Sequence, residues 1–211
     1  METENYKGFE IEIKSDEFAP NPRTEWDNLG TMVCFHNRYD LGDKEHGFDV
    51  RDHDSFKELA DAIKKEDIAV ILPLYLYDHS GITMSTGSFS CRWDSGQVGF
   101  IYITKEKARK EFGIKRITKA WIEKLTLYLE GEVETYDNYL TGSVYYFNID
   151  DVEDGSCGGF YGYDHEKSGL LDHARSSIDA EINWKVKQRI KKLKEYIKAK
   201  VPVIYRVLPS L

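Results

Sequence analysis

One stretch constrains this chain more than any other: Ala69 to Thr104, AVILPLYLYDHSGITMSTGSFSCRWDSGQVGFIYIT. It holds two strongly apolar runs, Ala69 to Tyr77 and Val98 to Ile103. The first is apolar on both faces, as a central strand is. Pro73 interrupts it, and a proline lacks the ladder donor, so an edge pairing or a bulge is expected there. Between the runs lie two polar clusters, Asp78-His79-Ser80-Gly81 and Trp93-Asp94-Ser95-Gly96. If the runs pair as neighbours, both clusters fall at one end of a sheet.

The flanking sequence supplies the other elements. Phe9 to Ile13 alternates apolar and charged residues, the pattern of a half-exposed strand. The following SDEFAPNPRTEWDNLG is too rich in proline, asparagine and glycine for regular structure, and Phe18 and Trp26 are expected to pin it as an ordered loop. Thr31 to His36 reads as a short strand. Phe56, Leu59, Ala60 and Ile63 form a helical stripe behind the cap pair Asp54-Ser55. Thr104 starts a short helix that Gly113 ends, and Thr118 starts a longer one closed by Thr141-Gly142. Its apolar positions, from Trp121 to Leu140, recur at steps of three and four. Ser143 to Ile149 is a strand, Asp150 to Gly155 an acidic turn, and Cys157 to Tyr163 a glycine-aromatic segment. From Glu166 to about Lys200 the pattern is mainly helical, with a narrow stripe of Ile178, Ile182, Val186, Ile190, Leu193 and Ile197. Strands with inserted helices and a terminal helix predict an α+β fold: a mixed or antiparallel sheet with packed helices and a basic amphipathic C-terminal helix. The expected division is an α+β body over residues 1–165 and a helical extension over 166–211.

Composition bounds the function. The 211 residues carry a net charge of −8, but from Ile182 onward there are nine Lys/Arg and one Glu. The body therefore carries −16 and the tail +8. An acidic body attracts basic partners and repels nucleic acid, whereas the tail does the reverse. Cys34, Cys91 and Cys157 are few, distant and odd in number, which fits free thiols and a cytoplasmic location. There is no signal peptide pattern at the N-terminus. No apolar run approaches the ~18 residues of a membrane span, so no membrane partner is expected.

Four groups of residues can carry chemistry. Asp78 and Asp94, with Asp16, Glu17 and Asp27 from the preceding loop, offer oxygen ligands for a divalent cation such as Ca²⁺ or Mg²⁺, while ordinary turn chemistry also accounts for them. His79 stands beside Asp78, with Ser80, Ser95 and Cys91 nearby, but no nucleophile motif surrounds them and no catalytic residue is assigned. The segment CGGFYGY lacks the spacing of a phosphate loop and offers Phe160 and Tyr161 as an aromatic contact surface. The basic helix, through Lys185, Lys187, Arg189, Lys191, Lys192 and Lys194, has the charge for nucleic-acid phosphates, for a partner helix, or for an acidic second copy.

EFAPNPRTEWDNLGTMVCFHNRYDLGDKE, then LPLYLYDHSGITMSTGSFSCRWDSGQVGFIYI, LEGEVETYDNYLTGSVYYFNI and CGGFYGY together resemble a family of mostly uncharacterised proteins of bacteriophages and other mobile elements. The resemblance covers about the first 165 residues. The last motif carries tryptophan after the cysteine in its usual form, where Gly158 stands here. The resemblance implies an accessory or counter-defence factor of the anti-CRISPR or antirestriction type. Such a factor occupies a surface on a host defence protein, for example a CRISPR or restriction nuclease. The expected contact residues are Trp26, Asp27, Asn28, Arg38, His79, Trp93, Asp94, Phe160 and Tyr161. The alternatives are a metal-dependent hydrolase or nuclease built on the aspartates, and a DNA-binding protein using the terminal helix. No cofactor beyond a divalent cation is expected.

Overall fold

The computed structural model describes residues 2–209, apart from the Val50 side chain. The fold is α+β, and every strand pairing is antiparallel. The chain divides into two compact units, one made of residues 1–17 and 144–211, the other of residues 18–143. A boundary near residue 165 would fall inside the first unit. Among the described residues, no helix is long and apolar enough to cross a membrane.

In the first unit, strands β1 (Glu2–Tyr6), β2 (Phe9–Ser15), β7 (Val144–Asn148) and β8 (Ser156–Tyr161) form a sheet in the order β1-β2-β7-β8. Alternation along β2 turns Ile11 and Ile13 inward and leaves Glu10 exposed. One face of this sheet is covered by α5 (Leu170–Lys198), which buries Leu170, Leu171, Ala174 and Ile178 against Ile11, Ile13 and Phe147. The terminal helix is thus part of a core over its first turns. A Cβ at Gly158 would come within 2.8 Å of an Asp16 carboxylate oxygen, so a larger residue there requires Asp16 to move.

The second unit is built on β3 (Thr31–Cys34), β4 (Ile68–Asp78), β5 (Ile82–Ser85) and β6 (Ser95–Thr104), in the order β3-β6-β4-β5. The two apolar runs do pair: β4 and β6 match from Ile68↔Thr104 to Tyr77↔Ser95. Pro73 lies in the middle of β4 without breaking it. It pairs with Phe100 on β6, the register shifts just after it, between Leu74 and Tyr75, and β5 joins the other edge only from Tyr75 onward. The missing amide therefore costs no ladder bond on the β5 side.

Two helices sandwich part of this sheet. Helix α4 (Lys119–Leu140), capped by the Thr118 hydroxyl, buries Leu125, Leu129, Val133 and Tyr136 on one face. At about 1.5–3 kcal/mol for each large apolar side chain, this is the main stabilising contact of the unit. Helix α2 (Phe56–Ile63), capped by Ser55, buries Leu59 and Ile63 on the other face, against Val33, Phe100 and Tyr102, with Ile68 and Ile71 of β4 half-buried beside them. Helix α3 (Lys105–Phe112) links β6 to α4 and ends on Gly113 in the left-handed conformation.

The loop before β3 differs from the sequence reading. It contains a short helix, α1 (Pro22–Glu25), capped by Asn21, and its aromatics are not buried: Phe18 is 93 % exposed and Trp26 45 %. Arg23 holds it instead. This side chain is buried, and its guanidinium donates to Asp43 Oδ1 (2.8 Å), Asp43 Oδ2 (2.8 Å), Glu132 Oε2 (2.8 Å) and the Gly30 carbonyl (2.9 Å). The carboxylates are satisfied in turn by the Met32, Leu29 and Gly30 amides. Arg23→Ala leaves two carboxylates facing no cation, and chemical denaturation is expected to show a loss of about 3–5 kcal/mol.

Cys34 lies under the same network, and burial pushes its thiol up from 9.0 to about 12. The unfolded thiol ionises near its ordinary value while the folded one stays protonated. Its contribution to stability is therefore complete below pH 9 and declines as pH rises above it. With a thiol reagent at pH 8, half-buried Cys91 and Cys157 should react in the native protein, and Cys34 only after unfolding.

Candidate functional site

The pairing of β4 with β6 brings the two polar clusters together at one end of the second unit's sheet. The Asp78 amide donates to the Asp94 carbonyl at 2.8 Å. Beyond it the chain turns through His79-Ser80-Gly81, with Ser80 and Gly81 both at positive φ, and returns as β5. His79 Nδ1 lies 3.4 Å from Asp94 Oδ2, and the Cys91 thiol donates to the same oxygen at 3.5 Å. The Ser95 hydroxyl donates to the Cys91 carbonyl. On the β3 side, the Arg38 guanidinium pairs with the Asp78 carboxylate and the Tyr39 hydroxyl donates to it at 3.2 Å. His36 accepts from the Arg38 amide at 3.3 Å and stacks on Tyr39.

Each aspartate thus already has local partners, Arg38 and Tyr39 for Asp78, His79 and Cys91 for Asp94. The strand end is polar, with Asp78 ion-paired to Arg38 and Asp94 hydrogen-bonded by Cys91. The Cys91 thiol thus faces the Asp94 carboxylate, which His79 also approaches.

The adjacent sheet face is only partly covered. Helix α2 covers the half near Val33, Phe100 and Tyr102. On the other half Tyr75 and Tyr77 alternate with the buried Leu74 and Leu76, and so point to the uncovered side. Tyr77 packs against Phe89 (5.7 Å between ring centres) and stacks with His79 (6.1 Å). The nine-residue loop between β5 and β6, residues 86–94, frames a groove with Tyr75, Ser88, Phe89, Ser90, Arg92 and Gly96 along it. Trp93, on the same loop, is 96 % exposed.

The composition of this region is unusual for the chain. Residues 68–104 contain no lysine and no glutamate, and their only charged side chains are Asp78, Arg92 and Asp94, in a protein that is 31 % charged. Tyrosine, tryptophan, arginine, serine and glycine provide the exposed groups. These are the residues that give contact area at low entropic cost and adaptable hydrogen bonds at recognition surfaces.

Of the residues singled out from sequence, Arg38, Asp78, His79, Trp93 and Asp94 come together here. Trp26, Asp27 and Asn28 do not join them. They precede Thr31, which pairs with Tyr102 near the far end of β6, and the strand between Tyr102 and Ser95 spans about 23 Å. Asn28 works structurally, donating to the Pro22 and Trp26 carbonyls and accepting from Lys107 Nζ. Asp16, Glu17, Phe160 and Tyr161 belong to the other unit. There the Asp16 carboxylate accepts from the Gly159 amide at 3.2 Å, and Phe160 packs against Phe147 and His173. The five carboxylates considered as metal ligands therefore form no single group. Among the described residues no cluster of three or more His, Cys, Asp or Glu side chains is arranged to hold a metal ion. The basic residues from Lys185 to Lys194 lie along the distal half of α5, where Lys185 pairs with Glu181 at 3.5 Å.

Tyr75, Tyr77, Phe89 and Arg92 are the site residues that the sequence reading missed. The absence of lysine and glutamate over residues 68–104 is the signal that marks them. Comparison with protein-family models, with curated proteins and with solved structures finds no match to this chain.

An almost fully exposed side chain contributes little to folding. Trp93→Ala should leave the unfolding free energy within about 0.5 kcal/mol of the original, measured by denaturant titration.

Proposed function

We propose that the protein is a binding protein, and that the tyrosine face with its 86–94 loop is the surface that contacts a macromolecular partner. The observation that carries this reading is the composition of residues 68–104, the longest stretch of the chain without lysine or glutamate, in which aromatic, serine, glycine and arginine side chains stand instead. Trp and Arg side chains on an otherwise neutral surface are the residue types that dominate binding energy when a partner desolvates them.

The partner class in this proposal is a nucleic-acid-processing enzyme of the host, such as a CRISPR or restriction nuclease, in keeping with the resemblance to phage and mobile-element proteins. Charge supports it. Residues 1–17 and 144–181 hold fifteen acidic and four basic side chains, a net −11. A basic nucleic-acid channel would attract that surface from a distance, raising the association rate in a salt-dependent way. The tyrosine face, nearly neutral, would then set the lifetime of the complex.

The test compares the full chain with the Arg92→Ala/Trp93→Ala variant, each immobilised and exposed to host lysate, with retained proteins identified by mass spectrometry. The wild type should retain a nuclease or other DNA-processing protein that the variant loses. With the purified partner, the variant should bind at least about thirtyfold more weakly, the 2 kcal/mol expected of a hot spot. Retention of the same proteins by both forms removes this surface from consideration, and retention of no DNA-processing protein by either removes the partner class.

A further inference from the structure

Past Ile182, which packs against the first unit's core, no side chain of helix α5 is fully buried. Val186, Ile190, Leu193 and Ile197 nevertheless follow one another at steps of four, three and four, the spacing of a coiled-coil seam. Val186, Ile190 and Ile197 are 37 %, 48 % and 57 % exposed. Lys187 and Lys194 border the seam on one side and Arg189 on the other, with Lys191 and Lys198 beyond. A shallow groove beside Ile190 is lined by four of these lysines and by Glu195. We propose that this half of α5 is a docking seam for an acidic amphipathic helix of a partner protein, apolar at its own seam positions and carrying carboxylates at the positions that flank them.

Three features select that occupant over others. The first is the width of the stripe. Two positions in seven make the narrow seam of a helix pair, whereas a helix lying in a bilayer surface presents a broad apolar face. A phosphate backbone would use the lysines but give the four aliphatic side chains nothing to pack on. The second is the sign of the flanks. Pairing two copies of this helix, in either direction, sets lysine and arginine against each other across the seam, and that repulsion disfavours a homodimer. A partner with glutamate at those positions turns the same charges into attraction. The third is preorganisation. Leu170, Leu171, Ala174 and Ile178 anchor the first half of the helix in a core, so the distal turns grow from an existing nucleus. Docking does not have to meet the ordering cost of a free peptide.

The full-length protein is titrated with a labelled synthetic heptad peptide, apolar at the seam positions and glutamate at the flanks, and with the same peptide carrying lysine at the flanks. Anisotropy should show the glutamate peptide binding at least about tenfold more tightly than the lysine peptide. The Ile190→Asp/Leu193→Asp variant should lose that binding by a similar factor. Its circular dichroism and melting temperature should be unchanged, because neither side chain is buried in the core. Equal binding of the two peptides, or equal binding by the seam variant, would overturn the proposal. So would a wild-type dimer that the seam variant dissolves, or duplex DNA or phosphatidylserine vesicles displacing the glutamate peptide.

Discussion

The second unit depends on one buried cation. Arg23 is, with Glu181, one of two charged residues buried among the described ones, and it is surrounded on all sides by acceptors: both oxygens of Asp43, one of Glu132 and the Gly30 carbonyl. Burying Arg23 and half-burying its two carboxylate partners costs several kcal/mol before pairing, so such a network adds little net stability compared with apolar packing. What it adds is position. A loop of irregular sequence, the return turn at Asp43 and the middle of α4 each have one docking geometry in which every donor and acceptor is met. Gly30 shows how tight that geometry is: a Cβ there would come within 2.6 Å of Leu129 and 2.8 Å of Ile101.

The tip of the sheet inherits this order. Asp43 receives the Met32 amide and its own amide donates to the Met32 carbonyl, while the Gly42 amide donates to the buried Tyr136 hydroxyl. The segment leaving β3 is therefore clamped where it returns, and Arg38 and Tyr39, on the segment in between, reach Asp78. Helix α4 acts at the other edge, where Asp137 accepts from the Thr83 hydroxyl and the Met84 amide, both at 2.7 Å, and holds the short strand β5 in place. Two flanks of the tip are thus fixed by polar contacts, and the 86–94 loop projects from a rigid frame. A rigid frame under an adaptable loop is the arrangement in which recognition surfaces are found.

Much of this was legible in the residues. Period-two alternation at Phe9 to Ile13, the apolar runs around Leu74 and Ile101, and the capped stripes beginning at Ser55 and Thr118 each named its element, because burial on one face imposes a period. The pairing of β4 with β6, and hence the meeting of Asp78 with Asp94, followed from two apolar runs in one short stretch. The strands β1 and β5 were not legible. Glu2–Tyr6 is held in the sheet by its register with β2 and by Arg175 pairing with Glu4, and neither leaves an apolar signature. Arg23, Asp43 and Glu132 are more than a hundred residues apart at their extremes, and three charged residues in a polar chain carry no sign that they will be buried together. The tyrosine face escaped notice for a different reason. Tyr75 and Tyr77 count as apolar in a hydrophobic run, and only the structure shows that they stay half-buried beside the 86–94 loop.

The first unit shows how far charge alone can be taken. Its sheet and the first half of α5 carry a net −11, and the chain from Ile182 onward carries +8. Two copies would attract each other head to tail at low ionic strength, and such a contact has no closing symmetry. Attraction of that kind brings surfaces together without holding them, because beyond about 10 Å it is screened at ordinary salt. The acidic residues that could receive the helix include Glu10 and Glu12, which stand on the polar face of β2, turned away from Ile11 and Ile13. That face has no apolar row to match Val186, Ile190, Leu193 and Ile197. A partner that holds the distal helix must supply both the carboxylates and the row, and the chain's own acidic face supplies only the first.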